Sequence, residues 1–174
     1  MTKDYDELHS PQFYKNLDEY AAYANIPVDY ILNSAVDKIP SDAVTWLVQY
    51  HKRPSLILNL HNSDWQENEV AFFMAGVLTR NLISAKVLSM PQFYDMIDAR
   101  KISEPTCILL PFFHGQSKVE IADWKQTIIL DALRERELQG KRTVLTIRNK
   151  ANLATVFGSG LVEFLQGKYE LVTA

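Results

Sequence analysis

A three-layer α/β fold around a five-stranded parallel sheet is the architecture this 174-residue chain predicts, on three observations. Short β-branched or leucine-rich runs alternate with helical stripes from Leu56 onward, which requires right-handed crossovers between parallel strands. Those runs are nearly continuous in apolarity, as strands covered on both faces must be. No repeat, low-complexity tract or glycine-rich linker interrupts the alternation, and the residues ahead of it read as helix alone. The expected division is an N-terminal helical extension over residues 1–40 and an α/β core over 41–174. The extension should pack against the edge of the sheet or one helical layer.

Ser10-Pro11 reads as a cap followed by a first-turn proline, and Phe13, Leu17, Tyr20, Ala21 and Ala24 recur behind it at helical spacing. Asn25-Ile26-Pro27 ends that helix, and a short apolar piece runs from Val28 to Val36. Ser41 is expected to cap the next helix, with Val44, Leu47, Val48 and His51 on its inner face. Leu56–Leu60 is the first strand. Val70, Phe73, Met74, Val77 and Leu78 form the buried stripe of a long helix starting near Glu67. Lys86–Ser89 is a short strand, and Pro91 opens a helix through Phe93, Met96 and Ile97. Thr106–Pro111 is the third strand. Ile121, Trp124, Ile128 and Leu133 run down a helix that Gly140 terminates. Thr143–Ile147 is the fourth strand. Leu153, Val156, Phe157, Leu161, Phe164 and Leu165 make the last stripe, ended by Gly167, and Tyr169–Val172 is the fifth strand. Gly158-Ser159-Gly160 should mark a bend or a close helix contact.

Composition excludes several classes. Hydrophobic content of 47% and charged content of 22% are ordinary for a globular protein. No apolar run approaches the roughly 18–20 residues that span a bilayer, and the polar, acidic N-terminus is unlike a signal peptide. A cytoplasmic location without membrane contact is therefore expected. Cys107 is the single cysteine, lies in an expected buried strand, and suits a small core residue. A net charge of −3 argues against nucleic-acid binding driven by charge alone, so any DNA contact should be weak. Arg134, Arg136, Lys141, Arg142, Arg148 and Lys150 cluster along the chain and read mainly as solvated helix-end and loop charges.

The segment after the first strand has the strand–turn–helix form in which a phosphate loop, G-x-x-x-x-G-K-[ST], normally occurs. That loop needs glycines whose N–H groups close on an anion, and a lysine to neutralise it. His61-Asn62-Ser63-Asp64-Trp65-Gln66-Glu67-Asn68 stands there instead. Asp64 and Glu67 would repel a phosphate.

The order of elements resembles the core of the AAA+ ATPases, most closely the bacterial helicase loaders and related transposition ATPases. Ala24-Asn-Ile-Pro27, the helix Asp42–Arg53 and Ser55-Leu-Ile-Leu58 are similar to the lead-in to a loader's phosphate loop. Leu133-Arg-Glu-Arg136 and Gly140-Lys-Arg-Thr143-Val-Leu-Thr146 resemble the sensor-1 strand and the helix before it, and Asn152-Leu-Ala-Thr-Val-Phe-Gly158 the helix after it. The resemblance implies a P-loop NTPase fold, here without a helical lid domain. It also places Glu67 at the loop lysine, Asn68 at the magnesium-binding hydroxyl, and Pro111 and Phe112 at the paired acids. Asn149 or Thr146 matches the sensor-1 polar residue, and Leu161-Val-Glu-Phe164 supplies no basic residue acting in trans. Phosphoryl transfer rests on electrostatic positioning, so these departures imply a pseudo-ATPase with degenerate motifs. No catalytic residue, metal or cofactor is expected.

The expected function is protein–protein interaction in DNA replication or its regulation. The partner implied is a helicase, a helicase loader or another AAA+ subunit. Trp65, Phe112, Phe113 and Arg148 are the candidate partner-binding residues. The three aromatics would either anchor a partner or plug the space a nucleotide leaves. The alternative is a small-ligand hydrolase or transferase using His61, Asp64, His114 and Asn149 in the crevice at the carboxyl ends of the strands. It requires His61 and His114 to converge.

Overall fold

The structure, a computed structural model, describes residues 11–33, 36–61, 63–113, 122–148 and 150–174. Expectations for Ser10, His114, Ile121 and Asn149 lie outside the described residues. Among the described residues, four α-helices precede the first strand: α1 (Pro11–Lys15), α2 (Leu17–Ala24), α3 (Val28–Leu32) and α4 (Ser41–Val48). The remainder alternates as β1 (Ser55–Asn59), α5 (Glu67–Arg80), β2 (Ala85–Val87), α6 (Met90–Asp98), β3 (Cys107–Leu110), α7 (Asp123–Leu138), β4 (Arg142–Ile147), α8 (Lys150–Lys168) and β5 (Tyr169–Thr173). All five strands are parallel, in the order β2-β3-β4-β1-β5. The three-layer α/β expectation is met.

The period of two along each strand divides the interior. Leu56, Leu58, Cys107, Leu109 and Val144 face a core built with α2, α4 and α5. Ile57, Ile108, Leu110, Leu145 and Ile147 face a second core built with α6, α7 and α8. The N-terminal helices cover both the sheet edge and a helical layer: α2 meets β2 and α5, and α3 lies along α5. That contact is close enough to dictate a residue. A Cβ added at Gly76 would stand 2.0 Å from the carbonyl oxygen of Tyr30.

Several sequence expectations are corrected. On α4, Ala43, Trp46 and Tyr50 just beyond it turn inward; Val44 and Leu47 are half-buried and Val48 is 80% exposed. The buried Trp46 finds the acceptor its indole needs in Pro54 O, at 2.8 Å. Ser41 is the first helical residue rather than a side-chain cap; the capping box falls at Ser89, whose Oγ accepts from Gln92 N. Ser89 thereby leaves β2 and starts α6. On α7 the inward stripe is Ile129, Ala132, Leu133 and Arg136, while Trp124 is 61% exposed.

Arg136 is not a solvated charge. Its guanidinium is fully buried and donates to the carbonyls of Ile102 (2.6 Å), Pro105 (3.1 Å) and Arg142 (2.6 Å), and to Thr143 Oγ1 (3.1 Å). It ties α7 to the lead-in of β3 and the start of β4. Its neighbour Arg134 is exposed, paired with Asp131 at 3.8 Å. Within α8, Gly158 has φ 73° and ψ 168°, a conformation essentially reserved for glycine, and it breaks the helix into two segments. The expected bend falls there.

Replacing Gly76 with alanine should cost about 1–3 kcal/mol, because a backbone atom must yield rather than a flexible side chain. Chemical denaturation of the variant checks this, and unchanged stability would contradict the close approach. Burial pushes the Cys107 thiol up to about 12, with Arg136 and a hydrogen bond from Tyr50 pulling the other way. At pH 8 its thiolate fraction is then on the order of 10⁻⁴. A disulfide reagent should leave native Cys107 untouched at that pH and modify it fully in denaturant.

Candidate functional site

The carboxyl ends of β3 and β4 meet the first turn of α5. Glu67 opens that turn and is 1% exposed, so its carboxylate must find partners inside the protein. Thr146 near the end of β4 donates from Oγ1 to Glu67 Oε2 at 2.7 Å. The backbone N–H of Phe112, just past β3, donates to the same oxygen at 2.9 Å and approaches Thr146 Oγ1 at 3.2 Å. Arg148 completes the cluster, its Nε 3.3 Å from Glu67 Oε1.

Arg148 also organises the β1–α5 loop. Its Nη1 donates to Leu60 O (3.3 Å) and Ser63 O (2.9 Å), and its Nη2 to Trp65 O (2.5 Å). A phosphate loop turns N–H groups inward on an anion. These carbonyls turn inward on a cation, which reverses the polarity of the cradle. His61 Nδ1 lies 2.9 Å from Arg148 O; a carbonyl only accepts, so the imidazole carries its proton on Nδ1 here.

Phe112 is held at φ 56°, in the left-handed region that a bulky side chain seldom occupies. The two acceptors of its N–H fix that conformation. The turn sends Phe113 back into the second core, where it stacks on Phe157 with centroids 4.6 Å apart and planes 8° apart. Of the four candidate partner residues, Phe113 therefore presents no surface. Trp65 and Phe112 are half-buried, Trp65 against the first core, and Arg148 is about one-third exposed. Beside Phe112, a cleft of about 470 Å³ is lined by Asn25, Asn68, Phe72, Met90 and Gln92.

The structure brings together Glu67, Thr146 and Arg148, a triangle that sequence reading did not assemble. Of the two candidates for the sensor-1 polar residue, Thr146 bonds to Glu67 and Asn149 lies outside the described residues. Asp64 is exposed rather than turned into the site. His114 lies outside the described residues, so its convergence with His61 has no geometry here. Among the described residues, no three His, Cys, Asp or Glu side chains are grouped so as to hold a metal ion. No described helix is long and apolar enough to cross a membrane.

The five-stranded parallel sheet in the order β2-β3-β4-β1-β5, covered by helices on both faces, is a fold found in known structures. Solved structures with this fold include a DNA replication initiation factor, with a TM-score of 0.61 at 12% identity over 76% of this chain and 43% of that one. The replication initiator DnaA bound to AMPPCP and single-stranded DNA gives 0.59 at 12% identity, over 75% and 43%. DnaA from Aquifex aeolicus bound to AMPPCP gives 0.58 at 12% identity, over 75% and 45%. The chain thus spans less than half the length of these structures. No family model matches the sequence, and no curated protein matches it.

Removing the Glu67 carboxylate leaves the Phe112 N–H and the Thr146 hydroxyl without their acceptor, while Arg148 keeps its carbonyls and solvent. Glu67→Ala should therefore cost about 1–3 kcal/mol in chemical denaturation. Glu67→Gln, which keeps an acceptor for Thr146 and Phe112 N–H, should cost less. Glu67→Lys should be at least as damaging as alanine, because it sets an ammonium against Arg148. A neutral Glu67→Ala variant would contradict the buried cluster.

Proposed function

We propose that this chain is a catalytically inactive AAA+-like protein that acts by protein–protein contact in DNA replication or its regulation. One observation carries the reading: the position that needs a free lysine holds a buried carboxylate already bound to Thr146, Phe112 N–H and Arg148. A phosphate would have to displace Arg148 from carbonyls that offer it nothing in exchange, and Glu67 would repel it. Pro111 and Phe112 stand at the end of β3 where paired acids would hold magnesium, and neither can do so. The replication setting is supported by the initiator structures that share the fold.

The partner expected is a helicase, a helicase loader or another AAA+ subunit, met at the carboxyl ends of the strands. Trp65, Phe112 and Arg148 are the contact residues with surface to offer there. No cofactor enters this reading, and DNA contact is at most secondary. The hydrolase alternative gains nothing from His61, whose Nδ1 is occupied by the Arg148 carbonyl.

Two measurements test the proposal. Calorimetric titration with ATP and Mg²⁺ should give no binding tighter than about 1 mM, corresponding to roughly −4 kcal/mol. Micromolar binding or measurable hydrolysis would refute inactivity. Affinity purification of the tagged chain from its own cells should recover a replication protein, with recovery reduced severalfold by Trp65→Ala. Purification that yields no replication protein would count against the interaction role.

A further inference from the structure

β5 is one edge of the sheet: it pairs with β1, and among the described residues no other strand lies beside it. Successive residues of a strand turn their backbone N–H and C=O groups to opposite sides. Ala174 N donates to Asn59 O of β1, so Glu170 and Val172 also face β1, and Tyr169, Leu171 and Thr173 turn their backbone groups outward. Such an edge is a template for another strand unless something blunts it. The opposite edge is blunted, since β2 has three residues and is met by α2. β5 has five residues, none of them proline, glycine or lysine, and runs without a bulge from Tyr169 to Thr173. Its one charged residue, Glu170, is already paired with Arg53 at 3.0 Å.

Apolar surface adjoins this edge. Leu171 lies beside Ile57 on the α8 face of the sheet and is 42% exposed. With Ile57, Val162 and Leu165 it lines a groove of about 180 Å³ between α8 and the sheet.

The residues of β5 select what fits. An antiparallel pair forms its hydrogen bonds between residues whose backbone groups face each other. Two copies related by a two-fold axis through Leu171 set Leu171 opposite its counterpart and Tyr169 opposite Thr173, so every outward residue of β5 is bonded. Opposite residues share a face, and the two Leu171 side chains pack together at the mouths of the two grooves. Glu170 then stands opposite Val172, and no like charges oppose. The adjoining registers are worse. Centring on Glu170 sets two carboxylates across from each other, and centring on Val172 leaves Tyr169 without a partner in β5. We propose that β5 pairs antiparallel with β5 of a second copy of this chain, joining two five-stranded sheets into one. This association does not depend on the inactive-ATPase reading, and its test involves neither nucleotide nor replication protein.

Sedimentation equilibrium of the full chain should show a monomer–dimer equilibrium with a Kd of roughly 10–100 µM, in keeping with one strand pair and one apolar cluster. Thr173→Pro replaces an outward N–H with a ring and spares the bonds to β1. It should weaken the dimer at least about tenfold and shift the thermal midpoint of the monomer little. Cross-linking reads the register. The Cα atoms of a hydrogen-bonded antiparallel pair lie about 5.5 Å apart, within reach of a disulfide. Leu171→Cys should therefore link two chains under oxidised glutathione. Thr173→Cys, more than about 13 Å from its own counterpart, should not. Cys107 is buried and does not compete. The proposal is overturned by a chain that stays monomeric at about 1 mM, by a dimer that Thr173→Pro leaves intact, or by equal cross-linking at the two positions. A chain that stays monomeric and instead takes up an unrelated extended peptide at β5 also overturns it. Thr173 is exposed, so its variants keep the test decisive even if Leu171→Cys folds poorly.

Discussion

A carboxylate sealed inside the first turn of α5 constrains everything near it, because a buried negative charge without donors costs far more than a single hydrogen bond. The protein supplies those donors from three separate segments. Phe112 accepts a left-handed backbone so that its N–H reaches Glu67, Thr146 turns its hydroxyl from the neighbouring strand, and Arg148 brings a compensating charge. Arg148 in turn draws the loop carbonyls after β1 toward itself, so the shape of that loop follows from the charge of Glu67.

β4 carries a second polar anchor at its opposite end. Thr143 and Thr146 lie three residues apart on one strand and therefore point to opposite faces. Thr143 meets Arg136 from α7, and Thr146 meets Glu67 from α5. The central strand is thus clamped to a helix in each outer layer by one charged residue per side. The two clamps differ in character. Arg136 is satisfied by neutral oxygens alone, whereas Glu67 is met by both neutral donors and an opposite charge.

How much of this the sequence conveys depends on which force decides each position. The strands and the α5 stripe were legible because hydrophobic periodicity alone sets them: Val70, Met74 and Leu78 are buried as spaced, with Phe73 and Val77 half-buried beside them. The inner face of α4 was not, because apolar residues surround that helix and the choice fell to Trp46, whose indole needs Pro54 O. Arg136 misleads for a related reason. A charge near a helix end normally meets water, and nothing local reveals five-way access to carbonyls and a threonine from two other segments. Gly76 gives no signal in a single sequence, since the backbone it accommodates belongs to α3. At the site, the absence of a G-x-x-x-x-G-K-[ST] loop after β1 was plain from residue types. The triangle of Glu67, Thr146 and Arg148 was not, because it joins residues about eighty positions apart.

The break at Gly158 leaves α8 with two short stacks of peptide dipoles in place of one long one. Each stack has its own poles, so the partial positive charge near the end of β4 comes only from the segment ahead of the glycine. A methyl group at this position would meet Gln126 Oε1 at 2.6 Å, besides forcing an L-residue into a conformation it avoids. Joining the two segments into a straight rod would thus shift the contact with α7 and the direction in which the chain enters β5. The alignment of the outermost strand is governed by one hydrogen atom where every other amino acid would place a carbon.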